Sequence, residues 1–136
     1  MSATDPRRRE RPLSPHLQVY RWQVQMVTSI LHRATGIVLA AGMLGLVWGL
    51  LALAAGPERW ITFAACAGSP FGKFVLFGFS WALAYHLING IRHLVQDAGY
   101  GYPVPEFVRS SWLSVIGSFV LVALAWGVAL AHWGHA

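Results

Sequence analysis

The chain has 136 residues, of which 56% are hydrophobic, 13% aromatic and 11% charged. A soluble domain ordinarily carries about 25% charged residues, so this composition excludes an ordinary soluble fold. The formal net charge of +5 calls for no nucleic acid, because the basic residues stand where membrane topology accounts for them.

In chain order, residues 1–13 are polar, basic and proline-containing and are expected to form a mobile arm. Ser14-Pro15-His16 reads as a turn. Residues 16–25 mix apolar and polar side chains and suit a segment at the membrane surface, with Tyr20 and Trp22 at headgroup level; a plain extended arm is the alternative. About twenty mostly polar residues separate the basic start from the first apolar run, so no cleavable signal peptide is expected.

Three nearly uncharged stretches follow, at 34–57, 74–91 and 110–133. Each is close to the roughly 20 residues that a helix needs to cross the hydrocarbon core. The expected fold is an all-α membrane protein: an arm over 1–25, then one three-helix transmembrane domain over 26–136. The spans are expected at about 28–54, 71–97 and 108–133. Gly56-Pro57 ends the first span, and residues 60–67 are expected to make a short interfacial turn. Gly99 and Gly101 close the second. Tyr102-Pro103-Val104-Pro105 is read as non-helical. Trp112 and Trp133 are expected as interfacial anchors at opposite ends of the third span. A bundle this small has little core, so partners are expected to cover its sides.

Arg7, Arg8, Arg9, Arg11, Arg21 and Arg33 gather at or before the first span. The positive-inside rule then puts the N-terminus in the cytoplasm and the C-terminus outside. Cys66 is the single cysteine, which excludes an internal disulfide or an iron–sulfur site built by this chain.

Two polar stripes interrupt the apolar spans. His86, Asn89, His93 and Asp97, with Gly90, recur at helical spacing on the second span. Ser29, His32, Arg33 and Gly36 do so on the first. In the expected topology both stripes face the cytoplasmic half, with His86 about 16 Å deeper than Asp97. No other histidine is expected at the depth of His86. An imidazole at that depth suits a haem iron, and His32, Arg33, Arg92 or His93 suit its propionates. Gly90 would leave room for a flat macrocycle. Ser29 and Arg33 suit quinone carbonyls, and Asp97 a proton route.

Each has a plainer reading. His86 would also serve as a hydrogen-bond partner of another helix, and Ser29 would bond to its own helix. Arg33 and Arg92 would snorkel to headgroups, and Asp97 would be solvated. Gly36, Gly42, Gly45 and Gly49 read as helix-packing positions. His132 and His135 are expected to be exposed.

Three segments together resemble one family. Arg11-Pro12-Leu13-Ser14-Pro15-His16 with Tyr20, Ser29-Ile30-Leu31-His32-Arg33-Ala34-Thr35-Gly36, and His86-Leu87-Ile88-Asn89-Gly90-Ile91-Arg92-His93-Leu94 with Asp97 are similar, in order, to motifs of the cytochrome b subunit of succinate dehydrogenase. The resemblance implies a bacterial inner-membrane anchor of respiratory complex II. Its partners would be a flavoprotein that oxidises succinate, an iron–sulfur subunit and a second small three-span anchor. It implies one b-type haem shared with that sister anchor, with His86 as an axial ligand. His32 would lie near the propionates, and Ser29 and Arg33 would line a ubiquinone site. Arg92, His93 and Asp97, in the third motif, would be further cofactor-binding residues, and Asn89 is more polar than the pattern leads one to expect. The competing functions are a quinol:fumarate reductase anchor and a haem-free structural anchor for a soluble partner. A proton or metal transporter is disfavoured by the absence of an inverted repeat.

Overall fold

The computed structural model describes residues 14, 16 and 19–133, the last by its backbone alone. Most of the first motif, the arginines at 7–9, the Trp133 anchor and His135 therefore lie outside the described side chains. Four helices follow in order: α1 (Val24–Ala54), α2 (Pro57–Gly68), α3 (Pro70–Asp97) and α4 (Val104–Trp133). Three of them, α1, α3 and α4, are long and apolar enough to cross a membrane. At 1.5 Å per residue they run about 42–47 Å, which reaches through the hydrocarbon core into both headgroup layers. The all-α, three-span expectation holds.

The boundaries differ in three places. α1 begins at Val24, so the last residues of the expected surface segment already belong to the helix. α4 begins at Val104, not near 108. Pro105 sits in its first turn, where the missing N–H would be unpaired anyway and the fixed φ suits a helix. Residues 57–68 form a helix of 12 residues where a short turn was expected. Pro57 opens it, and Glu58 lies in its first turn, where negative charge suits the helix dipole.

Local chemistry sets the connections. Gly56 has φ 110°, a value that favours glycine, and lets the chain turn from α1 into α2. Ser69 caps α3 by accepting from the backbone N–H of Gly72 at 3.0 Å. A Cβ on Gly72 would collide with the carbonyls of Cys66 and Ala67, so the tight α2–α3 corner requires glycine. At the far end of α3 the N–H of Gly99 bonds to Gln96 O at 2.8 Å and that of Tyr100 to Val95 O at 3.2 Å. With Gly99 at φ 90° this is a Schellman stop.

The three spans run up, down and up, with α3 packed against both α1 and α4. The interior is small and polar. Tyr85, Ala82, Ala84, Ala52 and Val122 are its buried apolar residues, beside Thr28, Thr35, Asn89, Arg92, Gln96, Ser111, Ser114 and Ser118. The last two serines return their protons to their own helix, at Ser110 O and Val115 O, so α4 closes on α3 without orphaned hydroxyls. The large apolar side chains point outward, with Ile37, Leu44, Phe71 and Phe74 at 73–76% exposure. Such a surface suits hydrocarbon or neighbouring helices.

The glycines of α1 divide. A Cβ at Gly42 would run into the ring of Phe79 on α3, and one at Gly49 would come within 2.8 Å of the ring of Phe63 on α2. A Cβ at Gly45 would meet nothing within 4 Å.

Candidate functional site

The polar residues of α1 and α3 meet near one end of the bundle. His32 on α1 and His86 on α3 stack face to face, with ring centroids 3.9 Å apart and planes 9° from parallel. His93, seven residues beyond His86 and so on the same face of α3, adds a third ring 5.0 Å from His32 at 53°. A histidine beside His86 was not expected. α1 starts early enough to carry His32 more than two turns into the helix, and the antiparallel register sets it against His86.

His86 is held by its inner nitrogen. Nδ1 lies 3.2 Å from the carbonyl oxygen of His32 and 3.3 Å from Thr35 Oγ1. The Thr35 hydroxyl proton is already directed along its own helix, toward Leu31 O at 2.8 Å or His32 O at 3.0 Å. Both neighbours of Nδ1 therefore act as acceptors, so Nδ1 carries the proton and the lone pair of the neutral ring sits on Nε2. Nε2 has no hydrogen-bond partner among the described residues and is not among the buried unpaired atoms. Gly36 makes room for the ring, since a Cβ there would stand 3.2 Å from His86 Cε1. Gly90 faces the ring of His32, whose Cε1 would lie 3.9 Å from a Cβ on it. His32 Nδ1 is buried without a partner among the described residues.

The remaining candidates are dispersed. Ser29 and Arg33 flank His32 on α1. Ser29 is half-buried and makes no side-chain hydrogen bond among the described residues, while Arg33 is exposed. Arg92 is buried and turned toward α4. Its Nε donates to Ser110 Oγ at 3.0 Å, one Nη to Asn89 Oδ1 at 3.4 Å, and its guanidinium lies 4.4 Å from the ring centroid of Phe107. Asp97 is exposed at the end of α3, and His132 is exposed near the end of α4. Two contributors were not singled out in the sequence. Thr35 was quoted only as part of a motif, and Tyr85, wholly buried, donates to Thr28 O at 2.9 Å and ties α3 to α1 beside the histidines. Their signal was adjacency to the stripes; both hydroxyls donate to backbone carbonyls, which leave no trace in residue type.

No group of three or more His, Cys, Asp or Glu is arranged to hold a bare metal ion among the described residues. The histidine rings offer imidazole nitrogens instead, and among them Nε2 of His86 stands opposite a hydrogen-bonded Nδ1. A groove of about 390 Å³ lined by Trp48, Ala52, Arg59 and Phe63 lies toward the other end of α1 and contains none of these residues.

Residues 7–125 match the protein family described as succinate dehydrogenase/fumarate reductase transmembrane subunit. The chain is 43% identical over 120 residues to the succinate dehydrogenase cytochrome b556 subunit of Paracoccus denitrificans, covering 88% of this chain and 92% of that protein. It is 39% identical over 117 residues to the b556 subunit of Rickettsia prowazekii, covering 86% and 91%. It is 38% identical over 120 residues to the mitochondrial succinate dehydrogenase cytochrome b560 subunit of Sus scrofa, covering 84% and 71%.

Proposed function

The chain belongs to the family of succinate dehydrogenase and fumarate reductase transmembrane subunits, and from that premise we propose how its residues serve electron transfer in the membrane. It holds one b-type haem through His86, shares it with a second small anchor subunit, and offers the Ser29–Arg33 face of α1 to ubiquinone. Succinate is oxidised on a flavoprotein partner, and an iron–sulfur subunit brings the electrons to the cytoplasmic edge of the bilayer. The N-terminus lies in the cytoplasm and the C-terminus in the periplasm of a bacterial inner membrane.

The residues present fit a haem. The observation that carries this reading is the imidazole of His86, with Nδ1 tied to two acceptors and Nε2 open, which is the arrangement of a ligating histidine. Bound there, the haem iron supplies a reversible one-electron carrier. His32 cannot be a second ligand of the same iron. Its ring lies flat against the face of the His86 ring at 3.9 Å, so His86 alone of this pair would hold the iron. In this reading a second ligand would come from the sister anchor. The buried, unpartnered Nδ1 of His32 suits a propionate oxygen. The cationic side chain of Arg33 donates to a quinone oxygen and stabilises negative charge as that oxygen is reduced. Ser29, whose hydroxyl is not returned to its own helix among the described residues, donates to the same headgroup. Arg92 supports the α3–α4 interface, and Asp97 stands at the aqueous end of α3, on the side where protons enter.

Purifying the complex through a tag on this chain tests the reading. The expected preparation contains flavin and iron–sulfur subunits, a b-type redox difference spectrum, and succinate:ubiquinone reductase activity. A fully assembled complex that lacks the b-type difference spectrum would make the chain a haem-free anchor.

A further inference from the structure

The side of α1 that faces His86 carries three features aimed at one ring: the His32 carbonyl, the Thr35 hydroxyl and the bare Cα of Gly36. We propose that Thr35 is a positioning residue for His86, accepting a hydrogen bond from Nδ1–H alongside His32 O and so helping to fix which nitrogen faces the haem iron. The proposal rests on His86 being the axial ligand. Its geometry is that of the backside of a metal-bound imidazole. The Thr35 hydroxyl is oriented by Leu31 O at 2.8 Å and His32 O at 3.0 Å, which turns a lone pair toward Nδ1 at 3.3 Å. Thr35 is 3% exposed, so water does not compete for that lone pair. Gly36 sets the distance, because any side chain there would press on Cε1.

A hydrogen bond accepted from Nδ1–H increases the electron donation of the opposite nitrogen. Stronger donation favours the ferric state and lowers the reduction potential. Removing the acceptor should do the reverse, while His32 O keeps the ring in place. Thr35→Val is the matching change, since it replaces the hydroxyl by a methyl group of similar size.

The test is a redox titration of the haem in the purified complex, with the haem-to-flavin ratio measured beside it. Thr35→Val is expected to keep the ratio and shift the midpoint potential to a more positive value. Thr35→Ser, which restores the hydroxyl, is expected to return the wild-type potential. Gly36→Ala displaces the ring and is expected to alter the electron paramagnetic resonance g-values of the ferric haem. If Thr35→Val assembles poorly, the potential of the assembled fraction and the Thr35→Ser variant carry the same information. A wild-type potential in Thr35→Val, in a protein whose haem is lost on His86→Leu, overturns the role of Thr35 alone. Retention of an unperturbed haem in His86→Leu overturns the underlying ligand assignment instead.

Discussion

The hydroxyl of Tyr85 on α3 reaches the carbonyl oxygen of Thr28 on α1 at 2.9 Å, with the tyrosine wholly buried. The bond stands one residue before His86 and therefore sets the register that places His86 against His32, Thr35 and Gly36. Tyr85→Phe keeps the ring and deletes the bond. A hydrogen bond of this kind contributes about 0.5–1.5 kcal/mol, nearer 0.6 kcal/mol between helices in a bilayer. The expected result is a small fall in the melting temperature of the assembled complex with an unchanged haem-to-flavin ratio. An unchanged melting temperature would remove the bond from the list of contributors.

Arg92 makes a second, sharper contrast. Ser110 accepts from the buried guanidinium, whereas Ser114 bonds only to the carbonyl of Ser110 in its own helix. Ser110→Ala leaves a buried charged donor without its acceptor, a loss of about 1–3 kcal/mol. Ser114→Ala removes a bond that the helix does not need. Thermal denaturation of the two variants in the same detergent should show the first clearly destabilised and the second near wild type. The reverse order would mean that Arg92 is held by something other than Ser110.

The span count was legible in composition, because three uncharged stretches of membrane length admit few other folds. The pairing of His32 with His86 was half legible. Periodicity put each on a stripe, but their relative depth depended on the start of α1 at Val24, and the capping pair there, Gln23 with Met26, is not of the Ser, Thr, Asp or Asn kind that marks a helix start in sequence. α2 was hidden because its twelve residues carry no membrane-length apolar run and are bordered by Gly56-Pro57 and Gly68-Ser69-Pro70, which read as turns. The proline at 105 argued against helix by residue type alone, whereas its position in the first turn of α4 makes it compatible. Arg92 and His93 are adjacent in sequence and point to different neighbours, although both were read as candidates for the haem propionates. Thr35 was not read as functional because its role depends on a lone pair aimed across the α1–α3 interface.

Small-residue packing between α1 and α3 predicts a positional contrast. A methyl group at Gly42 collides with the ring of Phe79, while one at Gly45 meets open space within this chain. Overpacking of this kind costs about 1–3 kcal/mol. Gly42→Ala should lower the yield of assembled complex, and Gly45→Ala should leave the fold of this subunit intact. Yield can be read as flavin retained on the tagged anchor. Equal yields from both variants would contradict the close α1–α3 contact.

For the quinone face, Arg33→Leu should reduce succinate:ubiquinone turnover more than Ser29→Ala, because only the arginine brings a charge to the developing oxyanion. Succinate oxidation with an artificial acceptor that draws electrons from the soluble subunits should survive both substitutions. Both rates are measured per mole of flavin in assembled complex. If Arg33 is a headgroup anchor alone, Arg33→Leu would lower the amount of complex and leave turnover per flavin unchanged.

The central claim is that His86 is this chain's axial ligand to a b-type haem. The most direct measurement is the haem-to-flavin ratio and reduced-minus-oxidised spectrum of purified complex carrying His86→Leu. The account predicts that the haem is lost or its spectrum strongly perturbed, while the flavoprotein and iron–sulfur subunits remain attached. A complex with a wild-type haem content and an unchanged spectrum would contradict it.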